Sequence, residues 1–157
     1  AALGVEPGSV TGFSLHAALA GHGIATRTKA LALAVLGAKS QVGVTQFDNA
    51  AIRVHAKFGP MEIILHRPAV HTHSENSFVY RLKVPSRRLL LEMARGTEEF
   101  GVPGRPEGIH WNFDPSSEAD HLRLATHLTN GHQAWIVSPG WRGGSDGCEI
   151  DVILGKK

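Results

Sequence analysis

The sequence predicts an α+β domain: a mostly antiparallel sheet with helices packed on one face and a helical segment at its N-terminus. Three observations carry that expectation. The first 40 residues have helical periodicity, the period drops to two from about residue 42, and strand-like and helix-like stretches then interleave. The predicted order is α α β β β α β α β β. With 157 residues, 42% of them apolar and 19% charged, the chain reads as a single domain, residues 1–40 forming a helical segment on a core over 42–154.

Taken in order, FSLHAALAG (13–21) predicts a short helix ending at Gly21 or Gly23. TRTKALALAVLGAKS (26–40) predicts a stronger one, with Thr26 or Thr28 as N-cap and Gly37 near its end. Its apolar residues surround the axis, as in a buried helix. QFDNAAIRVHAKF (46–58) alternates, Ile52, Val54, Ala56 and Phe58 against Arg53, His55 and Lys57, and predicts a strand. Gly59-Pro60 turns the chain into MEIILH (61–66), its expected partner strand. FVYRLKV (78–84) is a further strand, apolar at Phe78, Tyr80, Leu82 and Val84. Ser86 caps a helix over 87–96, and the Gly- and Pro-rich stretch 96–108 is a loop. GIHWNFD (108–114) alternates most cleanly, with Ile109, Trp111 and Phe113 opposite His110, Asn112 and Asp114. A capped amphipathic helix follows to about 130, its predicted stripe Ala119, Leu122, Ala125 and Leu128. QAWIVS (133–138) and CEIDVIL (148–154) then form a hairpin around the loop PGWRGGSDG. Parallel βαβ units fit only around 78–113 and 108–138.

Composition narrows the function classes. The net charge of +2 permits an anionic partner without requiring one, because the basic residues are scattered. The single cysteine, Cys148, excludes an internal disulfide and any Cys-rich metal cluster. The longest apolar run, residues 30–38, is too short to span a bilayer. No membrane partner is expected, and the compartment, secreted or cytoplasmic, stays open. The Ala-Ala start without an initiator methionine or leader fits a processed protein or an excised domain. Histidine is over-represented, ten residues against about three or four in ordinary usage. HExxH, GxSxG, Walker A and GxGxxG are all absent from the sequence.

The histidines concentrate the chemistry. VHTHSEN (70–76) places His71, His73 and Glu75 at alternate positions. Residues i and i+2 of a strand lie about 6.6 Å apart on one side, close enough for two imidazoles to share a zinc-sized ion. A strand unbroken from 70 to 84 would add Arg81 and Lys83 to that face. Ser-Glu-Asn-Ser is also turn chemistry, and a turn at 74–77 would make a hairpin instead and take Glu75 out of the site. If the strand at 108–114 neighbours the one carrying His71 and His73, His110 could supply a third ligand or an acid–base group. The expected metal is divalent, zinc or similar, held by His71, His73 and His110. The expected catalytic residues are His110, Arg81 and Glu75, with Lys83, Asn112, Trp141 and Arg142 binding substrate.

Two partial resemblances accompany this reading. His71, His73 and Glu75 together with PEGIH and His110 loosely resemble the cupin pattern. They depart from it in the early Glu75, the shortened second motif and the helix between them. Arg81 followed by Glu149 and Asp151 on a later strand is similar to mono-ADP-ribosyltransferases, without the intervening Ser-Thr-Ser strand. Neither assigns a family. The leading expectation is a hydrolase-type, nuclease-like enzyme with a histidine-rich site, metal-assisted or acid–base, acting on a phosphodiester. Its partners would be a small-molecule or anionic substrate, nucleic acid included. The alternatives are a non-catalytic binding module for a small ligand, protein or nucleic acid, and an ADP-ribosyltransferase-like enzyme.

Overall fold

ATRTKALALAVL is rich in alanine and leucine and has no proline, so it forms a helix with little backbone cost. In the computed structural model, which describes residues 21–67, 75–96, 104–144 and 147–156, this is α1 (Ile24–Leu36). It begins after Gly23 rather than at the expected Thr26 or Thr28, and Thr26 is instead buried within it. Gly37 ends it in the left-handed conformation that glycine tolerates best. The predicted helix at 13–21 lies outside the described residues.

The chain divides into two compact units, residues 1–38 with 86–100, and residues 39–85 with 101–157. In the first, α1 packs against α3 (Arg87–Arg95). Ala30, Leu33 and Ala34 of α1 are buried, as are Leu90 and Met93 of α3. Ser86 caps α3 as expected, its hydroxyl accepting from Leu89 N, and Gly96 closes it with φ +84°. The guanidinium of Arg27 occupies the space where a side chain at 96 would stand.

The second unit is a six-stranded antiparallel sheet with helices on one face, as the sequence predicts. Its strands are β1 (Ser40–Gln46), β2 (Met61–His66), β3 (Ser77–Lys83), β4 (Ile109–Phe113), β5 (Gln133–Gly144) and β6 (Gly147–Gly155). They lie in the order β1-β3-β2-β5-β6-β4, and every pairing among the described residues is antiparallel, so neither βαβ unit forms. α2 (Ala51–His55), its 3-10 extension (Ala56–Phe58) and α4 (Glu118–Thr129) cover the same face. His55 meets Tyr80 at 5.3 Å between ring centroids, and His121 of α4 meets Phe113 at 5.1 Å. Phe78, Tyr80, Leu82, Met61, Ile63, Ile136, Val152 and Phe113 line this face, all but fully buried. Each such side chain contributes about 2–3 kcal/mol by leaving water.

Three expectations are corrected here. Residues 51–58 are helical, not a strand. Asn49 Oδ1 accepts from Ala51 N to start the turn, and Ile52 and Ala56, four apart, are buried on one helical face. β2 therefore pairs with β3 and β5. The stripe of α4 is His121 and Leu124, with Ala125 and Leu128 half-buried, while Ala119 and Leu122 face water. Finally, most of the predicted loop 139–147 is strand. β5 bulges between Ile136 and Trp141 and resumes pairing with β6, with Trp141 opposite Ile150 and Arg142 opposite Glu149.

Candidate functional site

At one end of the sheet, three aromatic residues make a dry platform. Phe47, just beyond β1, stacks on Phe78 at 4.1 Å and leans on Phe113 at 4.6 Å. Against it comes the first turn of α4. Asp114 accepts from the backbone and hydroxyl of Ser116, Ser117 Oγ accepts from Asp120 N, and Asp120 Oδ2 accepts from Asp114 N. These local bonds fix the helix start, and hydrogen bonds from Ser116 hold the Asp114 carboxyl below the usual range. The helix start in turn aims His121 into the core, where it is only 2% exposed.

His121 is bonded on both ring nitrogens. Its Nε2 lies 2.9 Å from Pro115 O and its Nδ1 2.8 Å from His66 Nε2. A carbonyl only accepts, so His121 Nε2 donates to Pro115 O, and with His66 protonated on Nε2 that N–H donates to His121 Nδ1. The chain Pro115 C=O, His121, His66 leaves His66 Nδ1 with a lone pair and no hydrogen-bond partner among the described residues. Burial first, then the proximity of His121 and Arg67, pushes the His66 imidazole down to about 4. The ring therefore stays neutral well below pH 6.5.

Beside it, Arg67 has φ 49°, the one non-glycine residue in the left-handed region among those described. Its N–H donates to Ser77 O, its Nε to Glu75 O at 2.7 Å, and its two terminal nitrogens grip Glu118 at 2.9 and 2.6 Å. Such a conformation persists where the surroundings over-determine it, and here four bonds do so. Cys148 also lies at this end, its Sγ 3.9 Å from Phe47 O. Burial, then Asp48, Asp114 and Glu149, pushes its thiol up to about 11, so it is not a thiolate nucleophile.

Comparison with protein-family models, curated proteins and solved structures finds no match.

His71 and His73 lie outside the described residues, so their meeting with His110 is not part of this geometry. Glu75 sits in a turn before β3, and its carbonyl anchors Arg67. No strand therefore runs unbroken from 70 to 84, and β2 and β3 form the hairpin that Ser-Glu-Asn-Ser also allowed. His110 is exposed on the open face of β4, the opposite face from His66 and His121. Arg81 is paired with Glu62 at 2.7 Å, and Lys83 is exposed on the same strand. Four strand spacings, about 19 Å, separate β3 from β4, so Arg81 and Lys83 are not brought to His110 or Asn112. Three spacings part Arg81 from Glu149 and Asp151. On the open face the sheet does bring Asn112, Asp151 and Arg142 side by side, with Arg142 ion-paired to Asp151. Trp141 points to the covered face instead, its buried indole N–H without a partner among the described residues. Among the described residues no group of three His, Cys, Asp or Glu is arranged to hold a metal ion.

Sequence reasoning missed His66 and His121. Strict alternation from Met61 puts His66 on the open face, but a bulge between Ile63 and Leu65 returns it to the row of Phe78. The helix stripe was similarly misphased, which hid His121. The legible signals were the local ones: Asp114, Ser116, Ser117 and Asp120 mark a helix start whose first turn must aim one residue inward.

Proposed function

We propose that this chain is a hydrolase-type enzyme whose acid–base group is the His66–His121 pair, with phosphodiesters as the substrate class. The observation that carries this reading is the 2.8 Å bond between the two rings, with the tautomer set by Pro115 O. His66 Nδ1 would take a proton from the attacking hydroxyl as its O–P bond forms and the P–O bond to the leaving alkoxide breaks, the alkoxide taking its proton from water. His121 would orient the ring and accept the strengthened hydrogen bond as charge develops. Because Cys148 is held as a thiol, attack falls to water or to a hydroxyl of the substrate, and a phosphodiester beside a free hydroxyl offers the second. A divalent metal would find in His66 an imidazole that stays neutral far below pH 7, although the described residues bring no three ligands together.

The test is turnover of RNA and of an activated phosphodiester, with and without added zinc, by wild type, His66→Gln and His121→Asn. Both variants should lose at least about tenfold to a hundredfold in kcat/KM. The acid limb of the wild-type profile should lie near pH 4 rather than 6.5, since the base stays unprotonated until then. No turnover by wild type, or equal turnover by all three proteins, refutes the assignment. A second reading, a binding module, is favoured by the open-face row of Asn112, Asp151 and Arg142. In that case Arg142→Ala weakens an anionic ligand while the histidine variants do not.

A further inference from the structure

The outer edge of β1 is a seven-residue strand, SQVGVTQ, with no charge and no proline to discourage pairing. Lys39 O accepts from Val84 N and Phe47 N donates to Asn76 O, which fixes the parity of the β1–β3 ladder. Residues 41, 43 and 45 turn their N–H and C=O groups toward β3. Those of Ser40, Val42, Val44 and Gln46 point away from it, to an edge on which no strand among the described residues pairs. On the open face Val42 is 52% exposed and Val44 41%.

We propose that β1 pairs with β1 of a second copy of this chain, antiparallel about a two-fold axis through Gly43. The strand is nearly its own mirror in sequence. In this register Val42 meets Val44 of the other copy, Ser40 meets Gln46, and Gln41 meets Thr45. Parity agrees: the residues whose N–H and C=O groups point outward face one another and exchange hydrogen bonds, while Gly43 faces Gly43 as a non-bonded pair. A valine–valine pair on each side of the axis covers the exposed apolar side chains, and the absence of charge means no like charges are opposed.

The covered face of β1 has its own cross-strand pairs in this register. Gln41 Nε2 donates to Tyr80 Oη at 3.3 Å. The proposed pairing sets the Thr45 hydroxyl of the second copy directly opposite Gln41, in a non-bonded pair where side chains approach most closely. Gly43 belongs to the same arrangement. A Cβ there would lie 2.7 Å from the Tyr80 ring, so the axis passes through a residue with no side chain on either face. Seven residues a side is below the roughly 20–30 of a standard interface, so the dimer is a concentration-dependent one.

Sedimentation equilibrium of the whole chain tests this, over a series rising to high-micromolar concentration. Wild type should pass from monomer to dimer. Val42→Lys/Val44→Lys and Val42→Glu/Val44→Glu, both at exposed positions and checked for an unchanged circular dichroism spectrum, should each stay monomeric, with dissociation constants raised more than about tenfold. An equimolar mixture of the two variants should dimerise again. A wild type that stays monomeric overturns the proposal. So does a dimer that persists in either variant alone, or a mixture that fails to restore it.

Discussion

His66 loses hydration as a cation and stands close to His121 and Arg67, and these effects favour the neutral form in the folded chain. Its folded pKa, about 4, lies below the ordinary 6.5, so between those values the unfolded chain binds more protons. The stability it contributes is complete above about pH 6.5 and is lost on acidification toward pH 4. After allowance for residual solvent screening, the loss is about 2 kcal/mol. The urea midpoint of wild type should therefore drop between pH 7 and pH 4.5, and that of His66→Asn should drop less. An equal drop in both would mean that other groups carry the acid sensitivity. At this scale the sequence was informative about residue type and misleading about direction. Ten histidines announce imidazole chemistry, but which of them turn inward depends on one bulge and on the phase of one helix, and neither leaves a period in the sequence.

Elements were legible where local chemistry and tertiary burial agree. Ser86 followed by a helix-forming run, Ser117 followed by Glu-Ala-Asp, and the alternation of 109–113 all produced the expected structure. They disagreed at 51–58, where a period-two reading of Ile52, Val54, Ala56 and Phe58 competed with the four-residue spacing of Ile52 and Ala56. The sheet already had partners for β2, and the helical alternative buried the same residues. They disagreed again at 139–144, where Pro139 and three glycines suggest a loop but the backbone resumes pairing after the bulge. Capping is the element-level interaction simplest to measure. Removing the Ser86 hydroxyl leaves Leu89 N without its acceptor, so Ser86→Ala should lower stability by about 1 kcal/mol, and Ser86→Asp should restore most of it. Equal midpoints for wild type and Ser86→Ala would show that water serves Leu89 N equally well.

For the molecule as a whole, the class of fold followed from the change of hydrophobic period, while the strand order did not. β1 and β3 are neighbours although β2 lies between them in sequence, and β6 sits between β5 and β4. Such crossovers are chosen by which apolar faces fit, and a single chain read in isolation does not encode that in any local pattern. The candidate site inherits the same limit. Its parts come from β2, α4 and the segment before it, with Phe47 and Phe113 behind them, and only folding makes them adjacent. The open face is similarly composite, apolar at Val42, Val44 and Leu65 and polar at Asn112, Asp151 and Arg142. No helix among the described residues is long and apolar enough to cross a membrane.

Tyr80 is the chain's one tyrosine, and its phenol lies beneath Gln41 and Gly43 on the covered face. Burial pushes its ionisation up to about 12 from the ordinary 10, so the stability it contributes is intact below pH 10 and disappears as alkali approaches pH 12. The near-ultraviolet band of tyrosinate thus becomes a private optical gauge of the sheet. In an alkaline titration it should rise together with the loss of circular dichroism, and a band emerging near pH 10 with the fold intact would mean the ring is open to hydroxide.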